Sequence, residues 1–268
     1  MSFILYLNQS IPTDMKIITS FLLLAMLSFS AIAGVSPKEK QALIDLYTAT
    51  NGAQWNTTWN LDAEVATWKG VTVFKDKVIA LHLVDNNLNG TLPESIGDLQ
   101  NLKVINLHKN NITGNIPVSI TSIKGLKSVN LSFNKLDGAI PSHITNLTNL
   151  EYVDLFFNNL SGQLPENIGA LTKLRRLSIY SNQITGTLPS SITALTNLRD
   201  LQVSSNKLSG TLPEGMDAMI ALERISLFDN DFSGMIPQRI EQIVGLNQIE
   251  VAGNNFKAPS AGVIAANE

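Results

Sequence analysis

LEYVDLFFNNLSGQLPENIGALTK, residues 150–173, is one line of a sequence that repeats itself. Written from Val78 in lines of 24, the chain aligns without a gap. The lines begin at Val78, Leu102, Leu126, Leu150, Leu174, Leu198, Leu222 and Leu246, giving seven complete units and a shortened eighth. The ninth position is Asn in every line, from Asn86 to Asn254. The thirteenth is Gly in the seven complete units, from Gly90 to Gly234, and the sixteenth is Pro, from Pro93 to Pro237. A fixed period of this length marks a stack of similar coils, each unable to bury its apolar face alone.

The columns have separate physical duties. Apolar residues at the fourth and sixth positions, such as Ile105 and Leu107, alternate with outward residues and predict one short strand per unit. Strands that all run the same way stack into a parallel sheet at a spacing of about 4.8 Å. The Asn carries both donors and acceptors, so inside the turn it can satisfy unpaired backbone groups and link neighbouring coils. Gly at position thirteen permits backbone that a side chain obstructs, and Pro at sixteen suits the first turn of a brief helical segment. Ile96 and Leu99, three apart after Pro93, predict the inward side of that segment.

These lines resemble leucine-rich repeats, and the L-x-G-x-I-P element, here Leu160-Ser161-Gly162-Gln163-Leu164-Pro165, is similar to the plant-specific subtype. The resemblance spans Val78 to about Pro259. It implies an α/β solenoid with a parallel β-sheet on the concave face, short helical turns on the convex face and a second, smaller sheet near the L-x-G-x-I-P stretch. It also implies ligand binding on the concave sheet.

Either side of the repeats lie shorter segments. Residues 34–77 read as an N-terminal cap. Ser36-Pro37-Lys38-Glu39 is a capping-box helix start, Ala42, Leu43, Leu46 and Tyr47 share one face, and Asn51-Gly52 stops the helix. Residues Lys38 to Val73, with Trp55, Trp59 and Trp68, resemble the cap of plant-type leucine-rich-repeat proteins without its paired cysteines. The tryptophans are expected to pack in their place, and the absence of Cys favours a bacterial exported member; a Trp platform for sugars is the other reading of the same residues. Residues 1–33 read as a signal peptide, with Met15-Lys16 as a second possible start, an apolar run from Ile17 and an Ala31-Ile32-Ala33 cleavage site. Residues 260–268 form a tail, so the last coil is either covered loosely or open to self-association.

The chain has 268 residues and no Cys, with 19 Lys plus Arg against 22 Asp plus Glu. That balance argues against nucleic acid as a partner. A lack of thiolate, Gly-rich phosphate loop and Ser-His-Asp arrangement argues against an enzyme, and no cofactor is expected. His82, His108 and Asp85 occupy neighbouring outward positions, but a solvated face is expected there rather than a metal site.

Binding is read from the outward columns, positions three, five, seven and eight. Of the eight aromatic residues between Val78 and Pro259, six fall there: Phe133, Tyr152, Phe156, Phe157, Tyr180 and Phe228. With Asp154, Arg176, Asp200 and Arg224 as a polar rim, they predict a site for a protein or polysaccharide. Cross-strand packing is the competing explanation. An ice- or surface-binding alternative rests on position twelve (Asn89, Thr113, Asp137, Ser161, Thr185, Ser209, Ser233) and on Thr91, Thr187 and Thr211 at position fourteen. N-terminal sequencing of the exported protein is expected to start at Gly34; a mature chain beginning before Met15 would overturn the export reading.

Overall fold

The computed structural model describes residues 34–257. The expected signal peptide over 1–33 and tail over 260–268 lie outside the described residues, as does any cover that residues 258–268 give the last coil. No helix of the described residues is long and apolar enough to cross a membrane.

Eight parallel strands, one per unit, run from Lys77–His82 through Val104–Asn106, Ser128–Asn130, Tyr152–Asp154, Arg176–Ser178, Asp200–Gln202 and Arg224–Ser226 to Gln248–Glu250. Their register steps by one whole unit, Asn130 opposite Asp154 opposite Ser178, so each column of the sequence becomes a row of side chains across the sheet. Fourth- and sixth-position residues such as Ile105, Leu107, Leu177 and Ile179 are buried. A ninth strand, Val71–Phe74, was not expected. It pairs antiparallel with the first repeat strand through a turn at Lys75 and Asp76, both left-handed, and so covers the outer edge of that strand.

On the opposite side, short 3-10 segments such as Glu94–Asp98 and Ser190–Ala194 follow each proline. The proline precedes the segment instead of opening it: Pro93 is extended and its carbonyl accepts from Ile96 N–H at 3.1 Å. Ile96 and Leu99 are buried as expected. The smaller sheet is broken in two, three strands from Asn89–Thr91 to Lys135–Asp137 and four from Thr185–Gly186 to Asn255–Phe256. Single bridges at Ser161 and Gln163 join the gap.

The asparagines do what their column predicts, with a fixed pattern. Asn230 Nδ2 donates to the carbonyls of Val203 and Leu227, and its Oδ1 accepts from Leu208 N–H at 2.9 Å. The same three contacts recur at Asn110, Asn134, Asn158, Asn182, Asn206 and Asn254. Asn86 has no preceding repeat to bond. The cap supplies the missing partners at Thr57, whose N–H donates to Asn86 Oδ1 and whose carbonyl accepts from Nδ2.

The glycine column has two reasons. Gly210 has φ +77°, and a Cβ there would lie 2.8 Å from the Thr187 methyl of the unit before. Position fourteen of one coil thus rests on position thirteen of the next.

The cap helix spans Pro37–Ala49, with Ser36 Oγ accepting from Glu39 N–H. The capping box is altered: Glu39 takes the Ser36 hydroxyl and the Val78 N–H with its carboxylate, tying the helix to the first repeat. Trp55, Trp59 and Trp68 are all buried and, with Tyr47, form one stack of ring contacts. That burial rules out a tryptophan sugar platform. Asn230→Ala orphans one N–H and two carbonyls in a buried turn, so it is expected to lower stability by about 3 kcal/mol, read by urea unfolding. Asn230→Asp keeps the acceptor, loses the donors and should not rescue.

Candidate functional site

The repeat strands, three residues long after the first, all end at position five, so positions seven and eight stand in the turn beyond them and not in the sheet. Position eight is left-handed throughout: Asp85, Lys109, Phe133, Phe157, Ser181, Ser205, Asp229 and Gly253 have φ between 50° and 67°. Small or polar residues tolerate that backbone, and Phe does not. Yet Phe133 and Phe157 occupy it and remain 43% and 44% exposed.

Their rings are not isolated. Phe133 stacks on Phe157 and Phe156 on Tyr180, each pair with centroids 4.5 Å apart. Edge contacts of 5.5 Å between Phe133 and Phe156 and 5.4 Å between Phe157 and Tyr180 cross-link the two stacks. His108 meets the edge of Phe133 at 5.3 Å, and its Nδ1 is 2.8 Å from the Ser132 hydroxyl. Left-handed backbone costs a residue with a Cβ about 1–2 kcal/mol. An aromatic contact contributes about 0.5–1.5 kcal/mol. Phe133 and Phe157 each make three such contacts, so ring packing offsets the strain, and what it leaves unexplained is the exposure of the rings.

Four of the six outward aromatics, Phe133, Phe156, Phe157 and Tyr180, therefore form one patch. Tyr152 is exposed two residues before Asp154 and touches no other ring, and Phe228 stands apart, exposed, with Ser204 in its column between it and Tyr180. The expected charged rim is also different. Asp154 and Asp200 are buried, 9% and 6% exposed, and lie on the floor of the face. Asp200 holds two arginines, accepting from Arg176 Nε at 3.2 Å and Arg224 Nε at 2.7 Å. Burial pushes the Asp154 carboxyl above the usual carboxylate range, Arg176 opposes this, Asp200 adds to it and His108 opposes it weakly. Burial also raises the Tyr180 hydroxyl, and the Asp154 charge raises it further.

Sequence reasoning missed His108 as a neighbour of the patch, although it shares column seven with Phe156 and Tyr180. A polar hollow lined by Asn56, Asp85, Asn87, Lys109, Asn110 and Asn111 lies nearer the cap and contains none of the rings. Among the described residues, no three His, Cys, Asp or Glu side chains are grouped to hold a metal. The position-twelve hydroxyls are engaged: Thr113, Ser161, Thr185, Ser209 and Ser233 each donate to the glycine carbonyl of the preceding unit.

A leucine-rich-repeat family profile matches residues 77–136, and one for a leucine-rich-repeat region matches residues 142–260. No curated protein matches the chain in sequence. Among solved structures, that of PEPR1–AtPEP1 is similar at 27% identity and TM-score 0.75, over 81% of this chain and 31% of that one. The LRR ectodomain of the plant membrane receptor kinase GASSHO1/SCHENGEN3 from Arabidopsis thaliana, in complex with CASPARIAN STRIP INTEGRITY FACTOR 2, is similar at 27% identity and TM-score 0.77. It is matched over 81% of this chain and 27% of that one. A plant ice-binding protein is similar at 28% identity and TM-score 0.71, over 83% of this chain and 73% of that one. The chain thus spans about a third or less of the length of the first two of these proteins.

Because its folded pKa is raised, Asp154 holds its proton more tightly in the folded chain. Stability linked to it is full below the ordinary Asp range and is lost as pH rises through the raised value. Asp154→Asn, with Arg176, Asp200, His108 and Tyr180 left in place, is expected to raise Tm at about pH 7 and to match the wild type near pH 3. Melting curves at both pH values check this.

Proposed function

We propose that this chain, which is built of leucine-rich repeats, is an exported binding module that takes an extended peptide segment of its partner across the aromatic part of its concave sheet. The observation that carries the reading is the patch itself: Phe133 and Phe157 are large, half-exposed and held in backbone that disfavours them. Ring packing offsets the strain but leaves both rings half-exposed, and an anchor for a ligand accounts for that exposure. The similar GASSHO1/SCHENGEN3 LRR ectodomain is in complex with a factor, which supports a binding role for this repeat architecture. Coils locked together by the asparagine rows hold the rings in place before a ligand arrives, lowering the ordering cost of binding.

The subtype reading stays with the L-x-G-x-I-P element, and the cysteine-free cap favours a bacterial protein, secreted or periplasmic. A polysaccharide is the other ligand the stacked rings suit, since flat apolar faces also pack on sugar rings. Weak self-association is assigned to Gln248–Glu250, the last strand in the sheet order among the described residues.

Ice or another ordered surface is the runner-up, favoured by the likeness to a plant ice-binding protein. Against it, the position-twelve hydroxyls already donate within the solenoid. Position fourteen is Thr only at Thr91, Thr187 and Thr211, and Asn115, Ala139, Gln163 and Met235 fill the rest of that column. Thermal hysteresis of the purified protein is expected to be absent.

Selection of a phage-displayed random peptide library on the wild type, beside an oligosaccharide array, tests the main reading. Peptides enriched by the wild type should fail to bind the double variant Phe133→Asn, Phe157→Asn, which stays folded by circular dichroism although the lost ring contacts lower its Tm. Equal capture by the double variant would sink the reading, and array binding without peptide enrichment would transfer it to a glycan.

A further inference from the structure

The cap and the first two repeats leave a hollow where they join. Asn86 bonds to Thr57 where later asparagines bond to a preceding coil, and near that junction lies a space of about 320 Å³ lined by Asn56, Asp85, Asn87, Lys109, Asn110 and Asn111. That is the small end of the range for ligand sites, roughly 300–1,000 Å³. Its walls are held from both the cap and the repeats. Among the described residues, Asn87 is the one left-handed member of column ten, with φ 58°, and its Nδ2 donates to the Gln54 carbonyl at 2.9 Å. Asn56 Nδ2 donates to the Asp85 carbonyl at 2.9 Å, and Asn111 Nδ2 to Asn87 Oδ1 at 3.3 Å. Asn110 is buried, its carboxamide spent on Leu83, Leu88 and Leu107 like the rest of its column.

Three acceptors and one cation remain. Among the described residues, Asn56 Oδ1, Asn111 Oδ1 and Asp85 Oδ1 accept no hydrogen bond, and the Lys109 ammonium, which has three donors, meets only Asp85 Oδ2, at 3.0 Å. Both members of that ion pair are well exposed, so it contributes little to stability and its groups are open to a ligand.

This balance selects the ligand. An anion would face the Asp85 carboxylate and two carboxamide oxygens. A divalent metal would find one carboxylate with an ammonium 3.0 Å away, in a place where no three His, Cys, Asp or Glu side chains are grouped. An apolar group would strand all four polar atoms. A peptide backbone brings one donor per residue, whereas a sugar ring carries hydroxyls on adjacent carbons, each able to donate to an oxygen of the hollow and to accept from Lys109. Acceptors crowded into one hollow around a single ammonium match the second arrangement.

We propose that this hollow is a second binding site, for a neutral sugar, and that it holds one hexopyranose residue by adjacent hydroxyls, with Asp85, Asn56 and Asn111 accepting and Lys109 donating. The site does not depend on the peptide reading of the ring patch, which begins one unit further on at Phe133.

The test titrates methyl α-D-glucopyranoside, methyl α-D-mannopyranoside and methyl α-D-galactopyranoside into the full chain while NMR follows the backbone signals of residues 85–87 and 109–111. At least one glycoside is expected to shift these signals saturably, and tetrahydropyran, the same ring without hydroxyls, is not. Asp85→Asn and Lys109→Asn each remove a charged partner yet suit the left-handed backbone. Each should weaken that glycoside by about tenfold, the scale of one hydrogen bond to a charged group, with the signals of the other repeats unmoved. Lys207→Ala, in the column of Asn111 but four units on, leaves binding unchanged. No saturable shift with any of the three glycosides, shifts centred on Phe156 and Phe157 instead, an equal response to tetrahydropyran, or unchanged affinity in either charge variant would overturn the site.

Discussion

Every coil of this solenoid turns from strand to smaller sheet within a few residues, and at that corner backbone N–H and carbonyl groups are buried with no ladder to join. The asparagine side chain answers this need. Its single carboxamide ties an N–H and a carbonyl of the previous unit to a carbonyl of its own, so the bond that closes one corner also fixes the distance to the next. A buried polar group left unmade is more damaging than a made one is helpful. Tolerance at this position is therefore small, and the rest of the architecture follows: parallel strands in whole-unit register, glycines roofed by the preceding coil, and a core of leucine and isoleucine that runs without interruption.

That architecture was legible because repetition amplifies weak signals. One Asn or Gly says little, but eight or seven in register identify a column with a job. The buried tryptophans were legible too, since large rings beside a solenoid end have an apolar surface to cover. Features present once were not. The strand Val71–Phe74 depends on a two-residue turn at Lys75 and Asp76, a pair with no glycine to announce it. The left-handed turn at position eight was in the sequence, as a column of Asp, Lys, Ser and Gly in which two phenylalanines are out of character. It went unread because alternation was extended past the end of strands that are only three residues long. The burial of Asp154 could not be read from its own unit, because it depends on which groups the adjacent coils bring alongside.

Stability and use diverge at the same few residues. In most columns the chain obeys one rule per position, and departures concentrate between units three and five: phenylalanine where the backbone disfavours it, and a smaller sheet reduced to single bridges at Ser161 and Gln163. Local conflict of this kind is tolerated where the surrounding scaffold is over-determined, and it tends to mark the part of a protein shaped by its ligand. The neighbouring Arg176–Asp200–Arg224 row shows what the same face looks like when its charges are satisfied internally.

The cap does more than shield one end. Thr57 offers Asn86 the contacts that a preceding coil would, and Glu39 reaches across to Val78, so the first repeat meets a ready-made replica of its neighbour. Stacked repeats grow by adding to a finished surface, and a chain leaving the ribosome presents this template before any repeat has been made. Synthesis and assembly thus share a direction.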